Sequence, residues 1–259
     1  MHGLIRLRQF TISEGHLIVR PEQLEDEFKG CLELAKFMLE TLGLAEDVSY
    51  RFSKWDPDDR EKYIGTEEEW NYAQDLMRRI LDHLELDYVE EAGEAAFYGP
   101  KLDIQIRNVH GKEDTLITIQ VDLMLAEQFG MEYTDVDGSK RRPYIIHRTS
   151  LGCYERTLAL LIEKYAGAFP LWLAPVQMRI LPISERQLDG AREYLSRLKE
   201  AGFRAELDER NEKIGYKIRE AQMEKIPYML VVGDKELEAG TVSVRSHKDG
   251  DLGSMFVDA

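Results

Sequence analysis

Lys101-Leu102-Asp103-Ile104-Gln105-Ile106-Arg107 alternates polar and apolar residues without a break. Successive side chains of a strand point to opposite faces, so this pattern reads as a strand with one apolar and one polar side. Thr115 to Leu123 also alternates, apart from the adjacent Leu116 and Ile117, and the polar, glycine-containing His110-Gly111-Lys112 lies between the two. The spacing predicts two strands joined by a turn, the core of an antiparallel sheet.

Further strands are predicted at Val48 to Phe52 and Pro143 to Arg148. Leu4 to Thr11 also reads as a strand, with Ile5 and Leu7 on one face and Arg6 and Arg8 on the other. A turn at Ser13-Glu14-Gly15 would then lead into His16 to Val19, making a hairpin. Three helices complete this part. Pro21 opens the first, with Glu22, Glu25 and Asp26 near its positive end, and it stops near Gly43. The second spans about Glu67 to Leu84, with Trp70, Ala73, Leu76, Met77 and Ile80 on one face. The third, Gly152 to Tyr165, is rich in Leu and Ala. The expected architecture is a mostly antiparallel sheet with flanking helices.

The pattern changes after Phe169-Pro170-Leu171-Trp172-Leu173-Ala174-Pro175, which carries two prolines. Strands are predicted at Met178 to Leu181, Phe203 to Leu207, Tyr228 to Val232 and Thr241 to Arg245. They alternate with helices at Arg186 to Ala201 and Lys213 to Met223, as in a small α/β domain with a mixed sheet. The sequence thus predicts two domains, 1–173 and 174–259, and an α/β (α+β) fold class. Charge divides at the same place. Of the 34 Lys and Arg and 49 Asp and Glu, 20 and 33 precede residue 174, leaving the second domain nearly neutral. The net charge of −15 argues against non-specific DNA coating. Cys31 and Cys153 form neither a disulfide framework nor a CxxC pair, which suits a reducing cytoplasm. No apolar run reaches the roughly 20 residues of a membrane span.

Three stretches can carry chemistry. Arg6-Leu7-Arg8-Gln9-Phe10 places two guanidinium groups and an aromatic on one strand face, which suits a polyphosphate and a purine; it equally suits a solvated sheet face. In Gly152-Cys153-Tyr154-Glu155-Arg156, a cation stands in the first turn of a helix, where the dipole favours anions. A bound phosphate or stacked base would explain it, as would simple exposure. His16 and His147 lie at strand ends; imidazole suits zinc, though isolated histidines are more often structural.

Taken in order, Arg-x-Arg-x-Phe, Tyr-Gly-Pro-Lys, Ile-His-Arg, Gly-x-x-Glu-Arg, Trp-Leu-Ala-Pro-x-Gln and the stretch Arg210 to Glu220 closely resemble the threonyl-tRNA synthetases, class II enzymes, over essentially the whole chain. The resemblance implies ATP-dependent formation of threonyl adenylate, with Mg2+, and transfer to tRNA-Thr. By position, Arg6 matches an arginine of motif 2 that contacts ATP phosphates, and Phe10 the aromatic that stacks on adenine. Arg156 matches the motif 3 arginine. Gln120, Tyr98 and Lys101 match residues lining the substrate site, and Glu14 stands where an aspartate near the threonine amine is common. His16 and His147 match two of three ligands of a zinc that selects threonine by its hydroxyl. Asn211, Glu236 and Arg245 match positions that read the anticodon, and Lys225 stands where an arginine is common.

The sequence also departs from the pattern. Motif 1, which makes the family's homodimer interface, the first half of motif 2 and the zinc-binding cysteine would all lie before Met1. Neither Cys31 nor Cys153 matches that cysteine. Position 12 is Ile where a glutamine is usual, and Asp114-Thr115-Leu116 replaces a Trp-Gln-Cys-like stretch. The expectation is a threonine–tRNA ligase portion with little activity by itself and a weak, two-ligand zinc site. The alternative is a non-catalytic tRNA-binding paralogue.

Overall fold

The computed structural model describes residues 3–257. It divides into two compact units, one ending at Glu163 and one starting at Lys164. The ten residues around the double-proline segment, 164–173, therefore belong with the second unit.

The first unit holds β1 (Ile12–Val19), α1 (Leu24–Thr41), β2 (Val48–Lys54), α2 (Glu67–His83), β3 (Val89–Ala92), β4 (Lys101–Arg107), β5 (Glu113–Asp122), α3 (Leu125–Gln128), β6 (Tyr133–Thr134), β7 (Lys140–Arg141), β8 (Tyr144–Cys153) and α4 (Tyr154–Lys164). Six strands form one sheet in the order β1-β8-β5-β4-β2-β3, while β6 and β7 pair separately. Every pairing in the six-stranded sheet is antiparallel except β2 with β3. The predicted pair of alternating strands is the β4–β5 ladder, turned by Gly111 at φ +77°.

On the apolar side, Phe52, Leu102, Ile119, Val121 and Ile146 are fully buried. Helix α1 buries Leu24, Phe28, Cys31, Leu32, Ala35 and Leu39, a stripe at helical spacing, and packs against β8, β5 and β1. Helix α2 begins where its sequence dictates. Thr66 Oγ1 accepts from the Glu69 N–H at 3.2 Å, and Glu69 Oε2 accepts from the Thr66 N–H at 2.8 Å. Its Trp70 stacks on Trp55 with ring centroids 5.6 Å apart.

Two expectations fail at the start of the chain. Residues 4–11 form turns and bends, not a strand, and Ser13-Glu14-Gly15 is no turn. A single strand runs from Ile12 to Val19 against β8, with a bulge between Ser13 and Glu14. The reason lies at Thr11. Its N–H donates to Glu155 at 3.0 Å and its carbonyl accepts from the Tyr154 N–H at 2.9 Å, so the backbone there is taken by the start of α4. Gly15 stays extended because the Arg148 side chain lies against it, 3.2 Å from where a Cβ would stand.

The second unit holds β9 (Met178–Pro182), α5 (Leu188–Glu200), β10 (Ala205–Leu207), α6 (Ile214–Met223), β11 (Tyr228–Val232), α7 (Asp234–Ala239), β12 (Thr241–Ser246) and β13 (Gly250–Phe256). Their order is β10-β9-β11-β12-β13, parallel through β11 and antiparallel beyond, the expected mixed sheet. Ile180 and Leu230 pack with Ala191, Tyr194 and Leu198 of α5, whereas Leu181 and Met229 pack with Ala221 of α6. Adjacent strand residues thus serve opposite helices, giving three layers. Helix α7 and strand β13 were not foreseen: six residues are too few for a periodicity, and Gly250-Asp251-Leu252-Gly253 reads as loop.

Candidate functional site

The register of the first sheet assembles the site. Lys101 on β4 pairs with Gln120 on β5, Gln120 with His147 on β8, and His147 with His16 on β1. Directly paired residues share a face, so four residues far apart in sequence form one line across four strands. Glu14 lies two residues before His16 on the same side. Tyr98 joins from the loop before β4, where its hydroxyl donates to Gln120 Oε1 at 2.6 Å and its ring sits 5.0 Å from that of His147. Burial pushes the Tyr98 phenol up from its ordinary value, and the Glu14 and Asp122 charges push the same way.

Gly99 explains the Tyr-Gly-Pro-Lys stretch. A Cβ there would stand 2.3 Å from the Val121 carbonyl oxygen, so only glycine lets the loop lie on β5. Gly152 is more constrained still: at φ +68°, its Cβ would meet the Leu116 carbonyl oxygen at 1.8 Å.

Glu14, His16 and His147 can each present one donor atom, all within 4.8 Å of one another. The two imidazoles meet edge to face with centroids 4.7 Å apart, and His16 Nε2 lies 3.4 Å from Glu14 Oε1. Two nitrogens and one carboxylate oxygen are a donor set that fits zinc. The third member of this cluster is Glu14, which the sequence reading had placed on the threonine amine. Cys31 takes no part: it is buried on α1, and burial pushes its thiol up.

Two further acids flank the line on the same face. Asp103 is fully buried and accepts from Ser53 Oγ at 2.7 Å, Lys101 Nζ at 2.8 and 3.1 Å, and Thr118 Oγ1 at 2.9 Å. Asp122, equally buried, has Oδ2 3.0 Å from His147 Nε2. Both lie two residues from a line residue, Asp103 from Lys101 and Asp122 from Gln120. No sequence signal marks them, because alternation does not show that the polar side is closed over.

Arg156, in the first turn of α4, donates from Nη1 to the Thr115 carbonyl at 2.9 Å. Its Nε is buried and has no hydrogen-bond partner among the described residues. Glu155 beside it is held below the usual carboxylate range by the Thr11 N–H. Those contacts also carry the Phe10 backbone to the start of α4. Phe10 and Arg6 are exposed, and they share no strand face, contrary to the sequence expectation, because the chain there turns.

In the second unit the four matched residues separate. Asn211 follows β10 and Glu236 sits in α7 after β11, at the C-terminal end of the parallel strands. Lys225 precedes β11 and Arg245 pairs with Met229 near its start, at the opposite end. Glu236 accepts from the Gly233 N–H at 2.9 Å, Arg245 donates to Asp251 at 3.1 Å, and Lys225 donates to the Ala166 carbonyl. The stretch Arg210 to Glu220 is partly internal. Lys217 is buried and donates to the carbonyls of Pro182 and Asp208, each at 3.1 Å, so it is not part of a solvated helix face. Arg210 forks onto Asp208 at 2.9 and 2.6 Å.

Residues 1–165 match the tRNA synthetase class II core domain (G, H, P, S and T), and residues 177–259 match an anticodon binding domain. The chain belongs to the class II tRNA synthetases. Among synthetases it is 64% identical, over its whole length, to a threonine–tRNA ligase of Clostridium botulinum (strain Eklund 17B / Type B), and 49% identical over 257 residues to one of Halalkalibacterium halodurans. It spans 40% of the length of each. A crystal structure of the RNA binding domain of threonyl-tRNA synthetase from Cryptosporidium parvum superposes with a TM-score of 0.90 at 32% identity, covering 99% of this chain and 64% of that one. A prolyl-tRNA synthetase of the same organism, 20% identical with a TM-score of 0.68 over 98% of this chain and 46% of its own, shares the fold. Among the described residues no helix is long and apolar enough to cross a membrane.

Proposed function

We propose that this chain carries the threonine-selecting and anticodon-reading parts of a threonine–tRNA ligase. The observation that carries this reading is the line Lys101–Gln120–His147–His16 with Glu14 and Tyr98 beside it. Glu14, His16 and His147 would hold zinc, which supplies a Lewis-acid position suited to the amine and hydroxyl of threonine. Tyr98 donates to Gln120 Oε1, which turns the Gln120 amide nitrogen outward as a donor for the amino acid or its adenylate. Lys101, steadied on Asp103, places a cation at the same end of the line. Arg156 offers its unpartnered Nε and remaining guanidinium donors to ATP phosphates carried with Mg2+, and Phe10 and Arg6 approach the nucleotide from the opposite side. Asn211, Lys225, Glu236 and Arg245 offer hydrogen bonds to unpaired loop bases of tRNA-Thr. A homodimer and a cytoplasmic location go with this reading.

The test is a calorimetric titration of the zinc-loaded chain with threonine and with valine. A site built for a hydroxyl rejects the methyl isostere strongly, whereas a plain apolar pocket distinguishes the two weakly. Threonine binding at least about 100-fold tighter than valine is expected. Equal affinities would refute the reading.

A further inference from the structure

We propose that Asp122 is a positioning residue that fixes the tautomer of His147: it holds the proton on Nε2 and leaves Nδ1 as the lone-pair nitrogen. The inference rests on the zinc reading of Glu14, His16 and His147 and extends it to the residue beside them.

Asp122 ends β5 and is fully buried. Its two oxygens have different tasks. Oδ1 accepts the backbone N–H groups of Met124 and Leu125, at 2.8 and 2.9 Å, where the chain turns into α3. Oδ2 lies 3.0 Å from His147 Nε2, within hydrogen-bond distance. The two backbone bonds fix the rotation of the carboxylate, so Oδ2 cannot swing away from the ring. A neutral imidazole has one N–H and one lone pair, and a carboxylate offers only acceptors. The N–H therefore lies on Nε2, and Nδ1 is the nitrogen able to bind a metal. An outer carboxylate that orients a histidine ligand in this way commonly changes metal affinity about 10–100-fold when removed.

The turn alone does not require an acid. The oxygen of an asparagine would still cap Met124 and Leu125, as a weaker acceptor than the carboxylate. Its NH2, however, would face His147 Nε2 and demand a lone pair there, driving the proton to Nδ1. Asp122→Asn thus separates the two tasks of the residue: the turn is kept and the tautomer is reversed.

The experiment uses the 259-residue chain, labelled with 15N and free of metal. Long-range 1H–15N correlation spectra read the tautomer of each histidine, with His147→Gln assigning the His147 signals. Nε2–H is expected for His147 in the wild type and Nδ1–H in Asp122→Asn. Zinc affinity, read by competition with a chromophoric chelator, should fall about 10–100-fold in Asp122→Asn while its far-ultraviolet spectrum stays that of the folded wild type. A wild-type His147 protonated at Nδ1 would overturn the inference. So would an Asp122→Asn protein with unchanged tautomer and unchanged zinc affinity, which would make Asp122 a turn cap only. If Asp122→Asn does not fold, the wild-type spectrum decides alone. If the wild type fails to bind zinc yet shows the expected tautomer and its reversal, the zinc reading falls and the positioning role stands.

Discussion

Asp103→Ala is expected to destabilise the first unit by about 3–5 kcal/mol, the cost of removing one partner from a buried charge pair. The structure shows where this arises. The side chain is fully buried and gathers Ser53 Oγ, Lys101 Nζ, Thr118 Oγ1 and, at 3.4 Å, Arg51 Nη2. Ser53 is itself fully buried, so its hydroxyl loses a partner that water cannot replace, about 1–3 kcal/mol. Lys101 and Arg51 keep about a fifth of their side chains in solvent, 19% and 21%, and Arg51 keeps Glu91 at 2.9 Å. Each of these contributes about 1 kcal/mol. Urea unfolding followed by tryptophan fluorescence measures the loss. Replacing Trp172, which lies in the second unit, by Phe leaves Trp55 and Trp70 to report on the first. Asp103→Asn keeps an acceptor and should lose less. Adding Lys101→Met to Asp103→Ala should cost less than the sum of the two single changes, because the stranded ammonium is removed. A loss below about 1 kcal/mol for Asp103→Ala, or strict additivity in the cycle, would refute the account.

Glu90 accepts from Arg78 at 2.8 Å and Lys54 at 2.6 Å, and the Arg78 bond above all brings its carboxyl down to about 2. The unfolded state, titrating near 4.5, binds the proton first as pH falls. Stability from this group is therefore full above about pH 4.5 and lost toward pH 2, and acid unfolding of Glu90→Gln should lack that part of the slope, about 1 kcal/mol for a partly exposed pair. Gly152→Ala combines a left-handed backbone with a collision at the Leu116 carbonyl, so it should unfold or melt well below the parent in a thermal scan. Arg156→Ala should lower Mg-ATP affinity about 10–100-fold by calorimetry, the worth of one or two charge-assisted hydrogen bonds, with the far-ultraviolet spectrum unchanged.

The strands that bury one face and present a polar other face were plain in the sequence. β4 and β5 are found because their alternation has a period of two over seven residues or more. β1 was misplaced because Ile5 to Arg8 alternates as well, and nothing local shows that Thr11 is held by Glu155, 144 residues away. The line of site residues was invisible for a related reason. Lys101, Gln120, His147 and His16 are adjacent only through register, which is set by bulges such as that between Ser13 and Glu14. Asp103 and Asp122 read as ordinary polar positions because alternation alone cannot tell a wet face from one closed over by partners. In the second unit, no local pattern shows that Lys217 is buried, because its two carbonyl partners come from β9 and the segment after β10.

The proposed division between a line that meets ligand and acids that brace it on the same face makes a distinct prediction at Tyr98. The hydroxyl contributes one hydrogen bond, to Gln120, on the ligand side of the sheet. Its loss in Tyr98→Phe leaves Gln120 Oε1 open to water, so the cost in stability is that of one neutral bond, about 0.5–1.5 kcal/mol. The consequence for binding is larger, because an unheld amide spends part of its time with the oxygen where its NH2 is needed. Tyr98→Phe should therefore weaken threonine binding by several-fold or more while the urea midpoint hardly moves. Asp103→Ala should do the reverse in proportion, with stability falling first. Should Tyr98→Phe unfold the first unit as readily as Asp103→Ala does, the hydroxyl would be a structural group, and the proposed ligand-binding role of Tyr98 and Gln120 would be wrong.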